Sequence, residues 1–189
     1  MRRAATAAAL AVAALGACSD PPTQECPGEP VARFHFTGTQ VFLNDPALAG
    51  LDPVPSTLDC DPPQPPDQPP KEPQFPDVLP PFDGLLAADP STQSAALCRP
   101  TGIVLFGQRS GLRYSVQGST DGAVLASCAA TCSATLRLFV VGNVSQDGSG
   151  APSGFAGVLV EEMSPVGGPG TCGACTLPCA ARYALAGAP

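Results

Sequence analysis

Residues 103–125 read IVLFGQRSGLRYSVQGSTDGAVL, and this stretch decides the fold class. Ile103 to Phe106 is a short apolar run, after which Leu112, Tyr114 and Val116 alternate with Arg113, Ser115 and Gln117. A period of two puts one set on a buried face and the other in water, the pattern of a half-buried strand. Ser119-Thr120-Asp121-Gly122 then brings hairpin-turn residues before Ala123-Val124-Leu125 resumes the strand pattern. Working outward, Ala134 to Val141 and Phe155 to Met163 read as further strands, parted by the ladder-breaking run Ser145 to Gly154. Arg182-Tyr183-Ala184-Leu185 reads as a last short strand. Toward the N-terminus, residues 31–43 form an apolar island in which Phe34 and Phe36 alternate with His35 and Thr37. Short turns favour antiparallel neighbours. The expectation is an all-β fold, either a small antiparallel β-sandwich or a meander closing into a barrel, spanning residues 97–189 and joined by the strand at 31–43.

The rest of the chain is of a different kind. With 24 prolines and 20 glycines in 189 residues, these two types make up close to a quarter of the sequence, against about an eighth in average proteins. Twelve prolines fall within residues 53–81, among them Pro62-Pro63, Pro65-Pro66, Pro69-Pro70 and Pro80-Pro81. Fixed φ angles and missing amide donors favour extended polyproline II there and oppose a helix or sheet. Residues 44–96 are therefore expected to be an acidic, Pro-rich extended segment, a spacer or surface excursion. Pro63-Gln64-Pro65-Pro66 and Pro66-Asp67-Gln68-Pro69 also fit the frame of a ligand for a Pro-binding partner. From Asp20 to Asp89 twelve acids face two bases, Arg33 and Lys71, whereas the remainder carries four acids and five arginines beyond Arg2 and Arg3. The acidic carboxylates, separated by Pro in an extended chain, lack the converging geometry of a Ca²⁺ loop and read as solvated charge. A net charge of −7 disfavours nucleic acid, whose phosphates dominate such binding.

Residues 1–17 begin with Arg2 and Arg3 and continue as an almost purely apolar run that is too short to span a bilayer, as a secretory signal peptide does. The run ends Leu15-Gly16-Ala17-Cys18, with Leu at −3, small residues at −2 and −1, and then Cys. This resembles the lipobox of bacterial lipoproteins. The resemblance implies that Cys18 gains a diacylglyceryl thioether, residues 1–17 are removed and the new amino terminus is acylated. Residues 18–30 then form a lipidated tether. One acyl chain anchors only marginally, at about 0.8 kcal/mol per buried CH₂, and three make a lasting tether. Ser19 at the second mature position resembles the residue that permits sorting to the outer membrane. The resemblance thus implies a membrane partner through the lipid and a place in the bacterial cell envelope.

Beyond Cys18 there are eight cysteines: Cys26, Cys60, Cys98, Cys128, Cys132, Cys172, Cys175 and Cys179. An even number in an exported chain predicts disulfides, of unknown pairing among 105 possibilities. A Cys128–Cys132 bridge requires a turn, since positions i and i+4 of a strand lie about 13 Å apart. Cys172-x₂-Cys175-x₃-Cys179 admits two alternatives, a zinc site completed by Cys128 or Cys132, and thiol–disulfide exchange at Cys172-Gly173-Ala174-Cys175. The exchange reading wants a helix N-terminus, and nothing near residue 172 predicts one.

Catalytic constellations are thin. His35, the lone histidine, sits on the polar side of its strand beside Arg33. There is no G-x-S-x-G elbow. Glu161 and Glu162 are adjacent, so on a strand they point to opposite faces and cannot flank one bond. Gly168, Gly170 and Gly173 match G-x-G-x-x-G, but Pro169 and Cys172 interrupt it and no strand–helix frame surrounds it. Asn143-Val144-Ser145 is a glycosylation sequon with little meaning in a bacterial envelope. The sequence therefore points to a lipid-anchored envelope protein with a non-catalytic binding or structural role and no cofactor. The alternatives are an extracytoplasmic redox or zinc protein, and an accessory subunit held by an envelope protein partner.

Overall fold

A computed structural model describes residues 25–48, 58–60, 66–67, 75–99, 103–124, 133–166, 170–172 and 175–189. Residues 1–17, expected to be a signal peptide, Cys18, most of the Pro-rich stretch, Cys128 and Cys132 lie outside the described residues. The strands are β1 (Glu29–Val41), β2 (Val78–Ala88), β3 (Ser94–Cys98), β4 (Leu105–Ser110), β5 (Arg113–Val124), β6 (Ser133–Gln146), β7 (Pro152–Pro165), β8 (Gly170–Cys172), β9 (Cys175–Leu177) and β10 (Cys179–Ala188). Eight of them close into an antiparallel barrel in the order β1-β10-β7-β6-β5-β4-β3-β2, and β8-β9 forms a separate hairpin inserted between β7 and β10. Apart from that insertion the path is an up-and-down meander. Closure pairs the first strand with the last, from His35↔Ala188 to Val41↔Arg182, and leaves the ring without an edge strand.

The expected alternation holds, and it points the apolar set into the lumen. Phe34, Phe36, Leu97, Leu105, Tyr114, Val116, Leu138, Val140, Phe155, Leu159, Tyr183 and Leu185 all belong to one buried cluster. Rings from neighbouring and next-but-one strands meet there: Phe36 lies 5.0 Å from Phe82 on β2 and 5.4 Å from Phe155 on β7, centroid to centroid. An eight-stranded barrel has room for side chains but not for large residues at every inward position. Glycine provides the space. A Cβ at Gly84 or Gly187 would stand 2.9 Å from the Phe36 ring, and one at Gly142 would stand 2.5 Å from the tip of Phe155. The outer positions of β1 (Arg33, His35, Thr37, Thr39) are exposed and polar. On β1 the polar outer positions around an apolar lumen reverse the pattern of a lipid-facing barrel strand.

Three expectations need correction. The Pro-rich segment does not extend to residue 96, because Val78–Ala88 and Ser94–Cys98 are barrel strands. Pro80 and Pro81 are accommodated at a bulge where the β1–β2 register skips from Phe36↔Phe82 to Gly38↔Leu79, one of the few sheet positions that tolerate a missing donor. Ser119-Thr120-Asp121-Gly122 is not a hairpin turn. It is a bulge inside β5, between Thr120↔Leu136 and Ala123↔Ala134, with Gly122 at φ +77°. The turn chemistry is spent on strand curvature, and the β4–β5 reversal falls instead at Gly111-Leu112, with Gly111 at φ +61°. The strand at 31–43 begins and ends two residues earlier, at Glu29 and Val41.

Candidate functional site

One end of the barrel is made of tight, self-satisfied turns. Asp89 Oδ1 accepts from the Ser91 amide (2.8 Å) and hydroxyl (2.6 Å), and Asp147 Oδ1 does the same with Ser149 at 2.8 and 2.6 Å. These bonds, to the Ser hydroxyls first, hold both carboxyls below their ordinary pKa of 3.8. The other end carries the long connections, the bridge at Cys60 and the β8-β9 hairpin.

The Pro-rich connection returns to the barrel at this second end. Past Val41, where β1 leaves β10, Leu58–Cys60 takes its place: the Ala180 amide donates to the Leu58 carbonyl (2.8 Å) and the Cys60 amide to the Ala180 carbonyl (3.0 Å). Arg182, on the outer face of β10, is wholly buried beneath this strap. Its Nη1 donates to Asp59 Oδ1 at 2.5 Å, while Asp59 Oδ2 accepts from the Leu43 amide at 3.1 Å. Cys60 is bonded to Cys179. A short 3₁₀ turn, Pro46–Leu48, contributes Leu48 to an outer cluster with Phe139, Val158, Val160 and Ala180.

Inside the same end, Glu161 points into the lumen, with Leu138 and Ala181 as register partners. Glu162 points out and pairs with Arg137 at 3.4 Å, so the two carboxylates do face opposite ways. Burial pushes the Glu161 carboxyl above its ordinary 4.5, and Arg99 opposes the shift. Arg99 follows β3, the strand diametrically across the ring from β7, and lies 4.3 Å over the Phe82 ring. Glu161 thus stands on β7 between Leu159 of the aromatic lumen and Met163 of a second apolar cluster, which also holds Leu177 and the Cys60–Cys179 bridge.

The cysteines divide cleanly. Cys26 is bonded to Cys98 and Cys60 to Cys179, so four of the eight are assigned and three pairings remain for Cys128, Cys132, Cys172 and Cys175. The second bridge takes Cys179 out of the Cys172-x₂-Cys175-x₃-Cys179 ligand set. Cys172 and Cys175 are register partners across a two-residue connection in the β8-β9 hairpin, on strands and not at a helix N-terminus. His35 is exposed on the outside of β1, with Nδ1 3.0 Å from Asp83 Oδ1. Among the described residues no three His, Cys, Asp or Glu side chains gather where they could hold a metal ion.

Two residues of the site carry no mark in the sequence: Asp59 is one acid among the twelve from Asp20 to Asp89, and Arg182 one residue of a short strand. Glu161 stands out there only as half of an adjacent carboxylate pair. A signal existed in β7, where Val158, Leu159 and Val160 are consecutive and all buried, so both faces of that strand must be covered. Comparison with known proteins finds no family model, no curated protein and no solved structure that matches the chain.

Proposed function

We propose that this protein is a lipid-anchored component of the bacterial cell envelope, sorted to the outer membrane, whose barrel has a non-catalytic binding or structural role. Cys18 carries the lipid, in the lipobox Leu15-Gly16-Ala17-Cys18, and residues 1–17 are the removed signal. The observation that carries the reading is the pair of disulfides. Cys26–Cys98 and Cys60–Cys179 join segments 72 and 119 residues apart, and such bonds persist in oxidising compartments outside the cytoplasm. A packed lumen fits a scaffold better than a container, and the only histidine stands on the outer surface paired with Asp83. The Pro-rich excursion, attached to the barrel at Asp59 and Cys60, serves as a spacer, and its P-x-x-P frames are what a Pro-binding partner would read.

The test is an intact mass of protein purified from its native membrane, with and without reduction and alkylation, with zinc quantified on the same sample. Acyl mass on Cys18 with eight cysteines unreactive until reduction supports the anchored module. An unmodified amino terminus overturns the anchor. A second reading rests on the β8-β9 register, which sets Cys172 opposite Cys175 as a dithiol pair for redox or zinc chemistry. Free thiols at those two positions, or stoichiometric zinc, favour it. Stoichiometric co-purification after solubilisation identifies an accessory subunit of a larger complex.

A further inference from the structure

The two assigned disulfides sit in different places, Cys60–Cys179 at the long-connection end of the barrel and Cys26–Cys98 on the outer flank of β3, and the second fixes where the tether leaves. β1 begins at Glu29, at the tight-turn end, but the chain before it does not run on past that end. At Gly28, which has φ +95° and packs against Ala88, the chain doubles back, and Cys26 is bonded to Cys98 on the outer face of β3. Cys26, Leu85, Ala96, Cys98 and Val104 form a small cluster on that flank. Beside it Phe106, outward on β4, is 54% exposed, and a hollow of about 180 Å³ lies between it and Pro27-Gly28. In the eight-strand ring β7 stands opposite β3, and the strap of Pro46–Leu48 and Leu58–Cys60 covers the β7–β10 side.

We infer that the Cys26–Cys98 bridge sets the orientation of the barrel on the membrane: the β2–β3–β4 flank with Phe106 meets the lipid surface, and the Pro-rich strap faces away. The inference rests on lipidation of Cys18. From Cys18 to Cys26 there are eight peptide steps, at most about 28 Å of fully extended chain. A domain of this size is about 40 Å across, so the tether is too short for the far flank to reach the bilayer. The occupant of the exposed Phe106 surface is therefore the lipid interface, where an aromatic ring is favoured.

The chain has no tryptophan, so a single introduced one is a clean probe. The experiment uses full-length lipidated protein in vesicles of phosphatidylethanolamine and phosphatidylglycerol carrying a nitroxide-labelled lipid. Two variants are compared, Phe106→Trp and Leu58→Trp, the latter on the strap at a position 72% exposed. Fluorescence quenching is expected to be several-fold stronger for Phe106→Trp. A flexible Gly-Ser insertion of about twenty residues between Ser19 and Glu25 leaves the barrel sequence untouched and is expected to abolish the difference. Joint Cys26→Ser and Cys98→Ser replacement, which frees the segment back to Glu29, is expected to reduce it. Equal quenching at both positions in lipidated protein overturns the orientation alone, as does stronger quenching for Leu58→Trp or a difference that survives the insertion. A mass without acyl chains overturns both the orientation and the anchor.

Discussion

The lumen of the barrel and the strap on its outside both remove side chains from water, yet they do so by opposite means. In the lumen, rings from β1, β2 and β7 interlock over glycines, and size complementarity holds them. Under the strap the buried group is a guanidinium, and a short ion pair, a three-residue backbone bridge and a disulfide keep the cover in place. Apolar packing is non-directional and spread over many residues, so the lumen resists the loss of any one contact only in part. The strap therefore depends on a few identified bonds, and the lumen on many small contacts.

The comparison breaks most readily in the lumen. Phe36→Ala is expected to cost about 4 kcal/mol, because it empties space that Phe82, Phe155 and two glycines were shaped around. Urea unfolding checks this, and a loss below about 1 kcal/mol would mean that the lumen is loosely filled. Gly142→Ala, whose new methyl would meet the Phe155 ring, is expected to cost about 2 to 3 kcal/mol in the same assay. For the strap, Asp59→Ala is expected to cost about 3 kcal/mol by removing the carboxylate that faces the buried Arg182, and Arg182→Met in that background to recover most of it. A double-mutant cycle reads the coupling directly. Replacing Cys60 and Cys179 together by Ser is expected to lose about 2 to 4 kcal/mol, visible as a lower Tm under non-reducing conditions only.

Glu161 sharpens the comparison through pH. Its carboxyl is pushed above 4.5 by burial, so the folded state holds the proton more tightly than the unfolded chain. Ionisation then opposes folding once pH rises past the unfolded value, and the penalty is absent below it. Glu161→Gln is accordingly expected to raise Tm at pH 7 and to leave it unchanged below pH 4.5. An equal effect at both pH values would show that size, not charge, matters there. The smallest expected effect is His35→Ala, under about 0.5 kcal/mol, since that pair with Asp83 is more than half exposed on each side.

The period-two runs made β1, β6, β7 and the start of β5 legible, because alternation is imposed by the strand itself. Their ends were not, since strand length is set by what the neighbour pairs with: β6 continues to Gln146 because β7 runs beside it to Pro152. Val78–Ala88 was hidden by Pro80-Pro81, whose local preference opposes a ladder and is overruled at a bulge. The cysteines announced bridges but not partners. Asp59 carried no mark that separated it from the solvated acids around it.

Sequence alone determined that this is a β protein with a chain of two compositions and cysteines enough for bridges, because each of these is written in composition, periodicity or local spacing. Only the tertiary structure decided that the meander closes, that Cys26 meets Cys98 and Cys60 meets Cys179, and that Asp59 covers Arg182 from 123 residues away. Such contacts depend on where the closed ring brings distant segments, and a side chain's charge or sulfur does not record which partner it will find.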